Sequence, residues 1–258
     1  MKAMLKKILP PRVQRGLILG RYSLSVARNR SRYAGGACYC PVCNLEIKEF
    51  RISGASTDCP ICRAGERSRA DWFYLREHTD LFSAERKSLL HIAPEPFFLV
   101  RFRKQPGLEY VSMDLKSPLA ELHMDITDLK FPGGRFDAIY CSHVLEHVED
   151  DRRAMAELFR VCKPGGWAML QVPVTVEKTF EDSSVRSPAE RKRLFGNEGH
   201  VRRCGPDYAE RMRAAGFVVQ ALPVASFISE ESLGRMGIRN RMRYVFFCRK
   251  PAGEAASR

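Results

Sequence analysis

From about residue 88 to residue 250, short apolar runs alternate with stretches of helical periodicity, the pattern of a parallel sheet covered by helices. It predicts strands over 89–93, 110–114, 136–142, 167–172, 217–222 and 244–248. Between the third and fourth, Met155, Leu158, Phe159 and Cys162 fall at i, i+3, i+4 and i+7. That spacing predicts a helix over 150–162, closed by Lys163-Pro164-Gly165-Gly166. Ahead of the sheet, Trp72, Phe73 and Leu75 stand among charges between Arg67 and His78, as on a linking helix. The chain thus divides into a basic arm (1–36), a cysteine module (37–66), a linking helix (67–87), an α/β domain (88–250) and a disordered tail (251–258).

Composition narrows the class. With 258 residues, 45% of them hydrophobic and 28% charged, the chain supports one sizeable core with a small appendage and excludes wholesale disorder or coiled coil. No apolar run approaches the roughly 18–20 residues that cross a bilayer, and no secretory leader pattern opens the chain. A cytoplasmic location is expected.

Nine cysteines could mean disulfides, but four are spaced for another purpose. Cys40-Pro-Val-Cys43 and Cys59-Pro-Ile-Cys62 flank a 15-residue spacer. Each two-residue gap lets a tight turn aim two thiolates at one ion, so the four together predict a closed, structural Zn2+ site. The spacer, with Ile47, Phe50 and Ile52, is suited to a small hairpin. Cys38 is a spare ligand; Cys141, Cys162, Cys204 and Cys248 read as small buried apolar residues.

The formal net charge of +13 is unevenly placed: Lys2, Lys6, Lys7, Arg12, Arg15, Arg21, Arg28, Arg30 and Arg32 all precede the first acid, Glu46. Interleaved with Met4, Leu5, Ile8, Leu9, Leu17, Ile18, Leu19 and Tyr22, this arm is suited to anionic lipid at the inner membrane surface or to phosphate backbone. A solvated, frayed tail is the other reading. Pro10-Pro11 would interrupt a single long helix there.

Ligands of open α/β sheets bind beyond the carboxyl ends of the strands. Four groups lie there: His91-Ile-Ala93-Pro94-Glu95, Asp114, Asp125-Ile126 and Ser142-His143-Val-Leu-Glu146-His147. An acid ending the second strand can accept both hydroxyls of a ribose, and an acid after the third can accept from an adenine amino group. Together Asp114 and Asp125 describe an adenosine site. His143-Val-Leu-Glu146-His147 also matches the H-x-x-E-H pattern of certain zinc proteases. Those need both histidines one turn apart inside a helix, whereas His143 directly follows a predicted strand, so no catalytic metal is expected on that pattern.

The run from Asp125 through Phe131-Pro-Gly-Gly-Arg-Phe-Asp137 to His147, followed by the helix and Lys163-Pro-Gly-Gly166, resembles the class I S-adenosylmethionine-dependent methyltransferases of the type 11 kind. More narrowly, Leu90-His-Ile-Ala-Pro-Glu95 and Phe195-Gly-Asn-Glu-Gly-His-Val-Arg202, with the CPxC module, resemble a bacterial group carrying LHxAPE and FGQxDHVR-like motifs. The resemblance runs from about Cys40 to about Phe247 and implies a Rossmann-like seven-stranded sheet, mostly parallel with its last strand antiparallel. It further implies Asp114 on the ribose, Asp125-Ile126 at the adenine, Ala93, Pro94 and Glu95 along the methionine part, and Ser142-His143 beside the sulfonium. This chain departs in its first loop, where Ala93-Pro94-Glu95 replaces the glycine-rich D-x-G-x-G form, and in Gly199, where relatives commonly carry Asp before the histidine.

Methyl transfer from a sulfonium needs alignment and a dry pocket, and a base only when the acceptor is a weak acid such as a hydroxyl. His200 is expected to be that base, with His147 as a second catalytic candidate and Arg202 or Arg203 pairing with an anionic group of the substrate. The expected activity is methylation, at oxygen, of a small-molecule or saccharide acceptor. The alternatives are an RNA base methyltransferase, which the charge balance of Lys48 and Arg51 against Glu46, Glu49 and Asp58 disfavours, and a non-catalytic zinc-dependent binding module.

Overall fold

The computed structural model describes residues 9–54, 56–240 and 243–253. Lys2, Lys6, Lys7, Met4, Leu5 and Ile8 of the arm, and 254–258 of the tail, lie outside the described residues.

Helix α1 (Pro11–Arg32) opens the described chain. Proline at its first turn forfeits no intrahelical donor, while Arg30 and Arg32 sit in the last turn, where the helix dipole favours cations. Over this stretch the arm is therefore not a frayed tail. It is docked by Asn29 Nδ2, which donates to the Pro60 carbonyl at 3.0 Å, and by Tyr22 Oη, which donates to the Cys62 carbonyl at 3.3 Å. Two small hairpins follow, β1 (Ala34–Cys40) with β2 (Leu45–Ile47), and β3 (Arg51–Ser53) with β4 (Ser56–Asp58). The single predicted hairpin is thus two, and Ile52 is exposed while Ile47 is buried. Then comes the linking helix, α2 (Glu66–Glu77).

The rest alternates as the sequence pattern requires: β5 (Lys87–Ile92), α3 (Pro96–Phe102), β6 (Leu108–Asp114), β7 (Leu122–His123), β8 (Phe136–Ser142), α4 (Asp151–Val161) and β9 (Cys162–Gln171). It continues with β10 (Phe180–Glu181), α5 (Pro188–Phe195), β11 (Arg202–Arg203), α6 (Ala209–Ala214), β12 (Val218–Pro223), α7 (Glu230–Arg235) and β13 (Tyr244–Arg249). The main sheet has seven strands in the order β12-β13-β9-β8-β5-β6-β7. β13 runs antiparallel to both neighbours, β12 and β9, and the pairs among β5, β6, β7, β8 and β9 are parallel. The strand the periodicity did not show is β7, whose two residues are too few to display alternation.

Burial joins the cysteine module to the sheet. One apolar cluster runs from Cys40, Ile47 and Ile61 through Trp72, Tyr74 and Leu75 to Met169, Val245 and Phe247. A second fills the opposite face with Leu90, Ile139, Met155, Leu158 and Phe246. Arg69 pins the first cluster to α7: wholly buried, it donates to the carbonyls of Thr57, Ala64, Met236 and Gly237 and to Thr57 Oγ1. Gly237, at φ 61°, lies under the Phe50 ring, where an added Cβ would come within 2.3 Å of Phe50 Cδ2. Among the described residues no helix is long and apolar enough to cross a membrane.

Candidate active site and thiolate cluster

Cys40, Cys43, Cys59 and Cys62 converge. Cys40 Sγ and Cys62 Sγ are 3.6 Å apart, and Cys43 Sγ and Cys59 Sγ 3.8 Å. A tetrahedron with metal–sulfur bonds of about 2.3 Å has edges of roughly 3.8 Å, so the four sulfurs already have the spacing of a zinc cage. Each pair sits on a turn whose following residue is left-handed, Asn44 at φ 52° and Arg63 at φ 66°. None of the nine cysteines is in a disulfide. Cys38 stays outside the cluster, while Cys141, Cys162, Cys204 and Cys248 are fully buried. Burial pushes the Cys162 and Cys204 thiols up to about 12, so they behave as small apolar groups.

The second site is a cavity of about 550 Å3 at the carboxyl ends of β5, β6 and β8. The structure brings Ala93, Asp114, Asp125, Ile126, His143 and His147 together on its wall. Leu115, exposed at the mouth, and Met124 join them; neither carries a motif that marks it in the sequence, although Leu115 directly follows Asp114. Asp114 Oδ1 accepts from the backbone N–H groups of Lys116 and Ser117 at 2.7 and 2.6 Å, and Asp125 Oδ1 from Thr127 N and Oγ1, both at 2.8 Å. Those Thr127 hydrogen bonds hold the Asp125 carboxyl below its ordinary range.

Two wall residues are strained. Ala93 has φ 52° and His143 φ 56°, a region that costs a residue with a Cβ on the order of 1 kcal/mol or more. The first loop, though lacking the expected glycine, keeps at Ala93 the backbone conformation that glycine would favour.

Pro94, Glu95 and Ser142 do not line this cavity. Pro94 is buried. Glu95 turns to Arg67 of α2, at 3.1 Å, and to His91 Nε2, at 3.2 Å. Ser142 is buried with its hydroxyl unpartnered. Beside them Asp71 of α2 accepts from Tyr140 Oη at 2.8 Å and from Gln171 Nε2 at 3.0 Å. Burial raises its carboxyl to about 6, against the pull of Arg67. Burial, then Arg67 and Arg243, drive His143 down to about 2, so its ring is neutral.

Arg202 is not placed to meet a substrate. Its side chain is 3% exposed and lies 3.5 Å from Asp151. It donates to the carbonyls of Leu145, Val148 and Glu149 at 2.7, 2.6 and 3.0 Å and to Glu181 at 2.9 Å. Those carbonyls belong to the 3-10 turn Leu145–His147 and its exit, so Arg202 fixes the turn that carries Glu146 and His147. Val201 N adds a bond to the Glu146 carbonyl at 2.9 Å. Arg203 is held by Thr175 through its side-chain hydroxyl and carbonyl. The His147 and His200 rings meet edge to face, 4.6 Å between centroids. Although Gly199 stands where relatives commonly carry Asp, His200 has an orienting partner, the Phe195 carbonyl, 3.3 Å from Nδ1.

The fold as a whole aligns with that of a known structure. The S-adenosylmethionine dependent methyltransferase from Mesorhizobium loti aligns with a TM-score of 0.53 at 15% identity, over 72% of this chain and 100% of that one. The fold is that of a class I methyltransferase. Within this methyltransferase fold, residues 100–170 match the methyltransferase domain family. Two curated relatives match shorter stretches. The demethylmenaquinone methyltransferase of Clavibacter sepedonicus is 47% identical over 45 residues, 17% of this chain and 18% of that protein. An uncharacterized methyltransferase of Mycobacterium bovis is 38% identical over 50 residues, 19% of this chain and 25% of that protein. The matches span at most a quarter of these relatives' length.

Proposed function

We propose that the protein is an S-adenosylmethionine-dependent methyltransferase acting on a hydroxyl of a small-molecule or saccharide acceptor. The observation that carries the reading is the convergence of Asp114, Asp125-Ile126, Ala93 and His143 on one cavity at the strand ends of this fold. Asp114 accepts from the ribose hydroxyls with the oxygen its own turn leaves free, and Asp125 with Ile126 meets the adenine. S-adenosylmethionine supplies the methyl group on a sulfonium, already a good leaving group, so the chain's task is alignment and exclusion of water. His200 and His147, oriented by backbone carbonyls, handle the acceptor proton; Arg203, the less buried of the two lid arginines, remains the candidate for an anionic substrate group. The four cysteine thiolates hold a structural Zn2+; all four positions are sulfur, which leaves no ligand place for a substrate.

One observation favours an RNA acceptor instead: a groove between α1 and the cysteine turns lined by Arg30, Arg76, Arg101 and Lys104. Phosphate contacts there would make binding fall steeply with salt, which a hydroxylated small molecule would not do.

The deciding experiment is calorimetric titration of the zinc-loaded chain with S-adenosylhomocysteine, with Asp114→Ala beside it. Micromolar binding, about −8 kcal/mol, weakened at least tenfold by the substitution, supports the reading. A folded protein that does not bind it moves the function to a zinc-dependent binding module.

A further inference from the structure

The turn after β8 and the segment before β11 bring together three groups that can each offer a ligating atom to one ion. Glu146, His147 and His200 each offer one ligating atom, and these atoms lie within 4.8 Å of one another. Glu146 is fully buried, and neither carboxylate oxygen has a hydrogen-bond partner. His143 Nδ1 approaches Glu146 Oε1 only to 3.4 Å. His147 Nδ1 is 3.0 Å from the Gly199 carbonyl, and His200 Nδ1 is 3.3 Å from the Phe195 carbonyl. A carbonyl can only accept, so each Nδ1 carries a proton, which leaves Nε2 as the nitrogen able to ligate an ion.

Two imidazoles fixed in that tautomer by outer carbonyls, beside a buried carboxylate, form the donor set of a metal centre rather than of a hydrogen-bond network. Burying a carboxylate with no donor is costly and raises the Glu146 carboxyl, and a bound cation relieves that cost while keeping the group charged. The support is rigid. Arg202 and Val201 lock the turn bearing Glu146 and His147 to the segment bearing His200. At Gly199 an added Cβ would stand 2.9 Å from His147 Nδ1, so a residue without a side chain is what lets its carbonyl reach the ring.

We propose that Glu146, His147 and His200 bind a divalent first-row transition-metal ion at the mouth of the methyl-donor cavity, with open positions for the acceptor. The set differs from the protease-like pattern considered on sequence, since His143 is not a ligand and His200 is. The inference deepens the methyltransferase reading and rests on it: His147, a ligand, also lines the cavity. With their Nε2 lone pairs on the ion, His147 and His200 give up the part of base, and an acceptor hydroxyl coordinated there loses its proton to solvent water, because a bound cation lowers the pKa of a coordinated oxygen. The alkoxide oxygen then forms a bond to the methyl carbon as the carbon–sulfur bond breaks, its electron pair staying on the sulfur of S-adenosylhomocysteine. The acceptor class is thereby narrowed to hydroxyls with a chelating neighbour, such as vicinal diols of a sugar or hydroxy acids.

The test is titration of the zinc-loaded full chain with CoCl2, followed by visible absorption and calorimetry, with S-adenosylhomocysteine binding measured separately with and without cobalt. One equivalent of Co2+ should bind with the weak ligand-field bands of nitrogen and oxygen ligands and without a thiolate charge-transfer band. Glu146→Gln and His200→Ala should each weaken it by more than the roughly 10–100-fold expected for losing an outer partner, with thermal unfolding unchanged. Lack of cobalt uptake by a folded, S-adenosylhomocysteine-binding protein overturns the metal site while sparing the methyltransferase reading. So does uptake showing only the thiolate band, or uptake indifferent to both substitutions. Cobalt uptake without S-adenosylhomocysteine binding does the reverse.

Discussion

The cysteine module and the cavity mouth are both rich in buried polar groups, and they treat them in opposite ways. Apart from the four thiolates, the chain itself supplies the partners around the module among the described residues: Arg69 alone makes five hydrogen bonds to carbonyl and hydroxyl oxygens. At the carboxyl end of β8, beside the cavity, Ser142 Oγ, His143 Nε2 and both oxygens of Glu146 are buried without partners. Native interiors leave few such groups unmatched, and those that remain mark places where something else binds. Outside its thiolates the module satisfies its own polar groups and holds the fold, whereas the cavity side leaves groups for a ligand to meet.

The strongest way to break this contrast is to make the module incomplete. Arg69→Met strands four carbonyls and the Thr57 hydroxyl in a dry core, which should cost roughly 3–5 kcal/mol. At about 2–4 °C per kcal/mol for a chain of this size, thermal unfolding should shift down by on the order of 10 °C. Because one apolar cluster joins Cys40 and Ile61 to Trp72 and Phe247, the loss should appear as one cooperative transition seen by Trp72 fluorescence. A separate early transition with the sheet unaffected would show that the module unfolds by itself.

A smaller effect sharpens the same contrast at the buried junction of α2 with the sheet, where Asp71 meets Tyr140 and Gln171. Its carboxyl titrates at about 6 in the folded chain because of burial, against about 3.9 when unfolded. The folded state therefore binds the proton more tightly, and the stability this contributes at low pH is lost as pH rises from about 4 to about 6. Asp71→Asn removes that loss. Its stability relative to the parent should improve between pH 4 and pH 7 by on the order of 2–3 kcal/mol, read from urea midpoints at both values. An offset independent of pH would mean that Asp71 is ionised throughout, paired to Arg67.

Which of these groups the sequence made visible follows from how local their partners are. The four cysteines are legible because each CxxC pair is made within one turn, Asp114 because it ends a predicted strand, and Asp125 and Ile126 through the methyltransferase-like run that begins with them. Asp71 and Gln171 are hydrogen-bonded across 100 residues, and no spacing announces that. Arg202 misled for an instructive reason. A segment with adjacent arginines reads as too polar for core, yet a 3-10 turn leaves carbonyls unpaired, and a buried guanidinium with five donors is what satisfies them. The two histidines were visible singly; their meeting beside Glu146 depends on the clamp between β11 and the turn.

The smallest expected effect separates strain that shapes a ligand site from strain that shapes a turn. Ala93 at the mouth and Arg63 in the second cysteine turn share a left-handed backbone, φ 52° and 66°. Glycine at either position relieves about 1 kcal/mol of steric strain in the folded chain and gives back a similar amount through the freer unfolded chain. Ala93→Gly and Arg63→Gly should therefore each change stability by less than about 1 kcal/mol. If the backbone contour, rather than the methyl group, forms the cavity wall, S-adenosylhomocysteine should bind both variants within about threefold of the parent, a difference under about 0.7 kcal/mol. A tenfold loss confined to Ala93→Gly would assign the contact to the Ala93 side chain itself. The first loop would then recognise its ligand through the very atom that distinguishes it from a glycine-rich one.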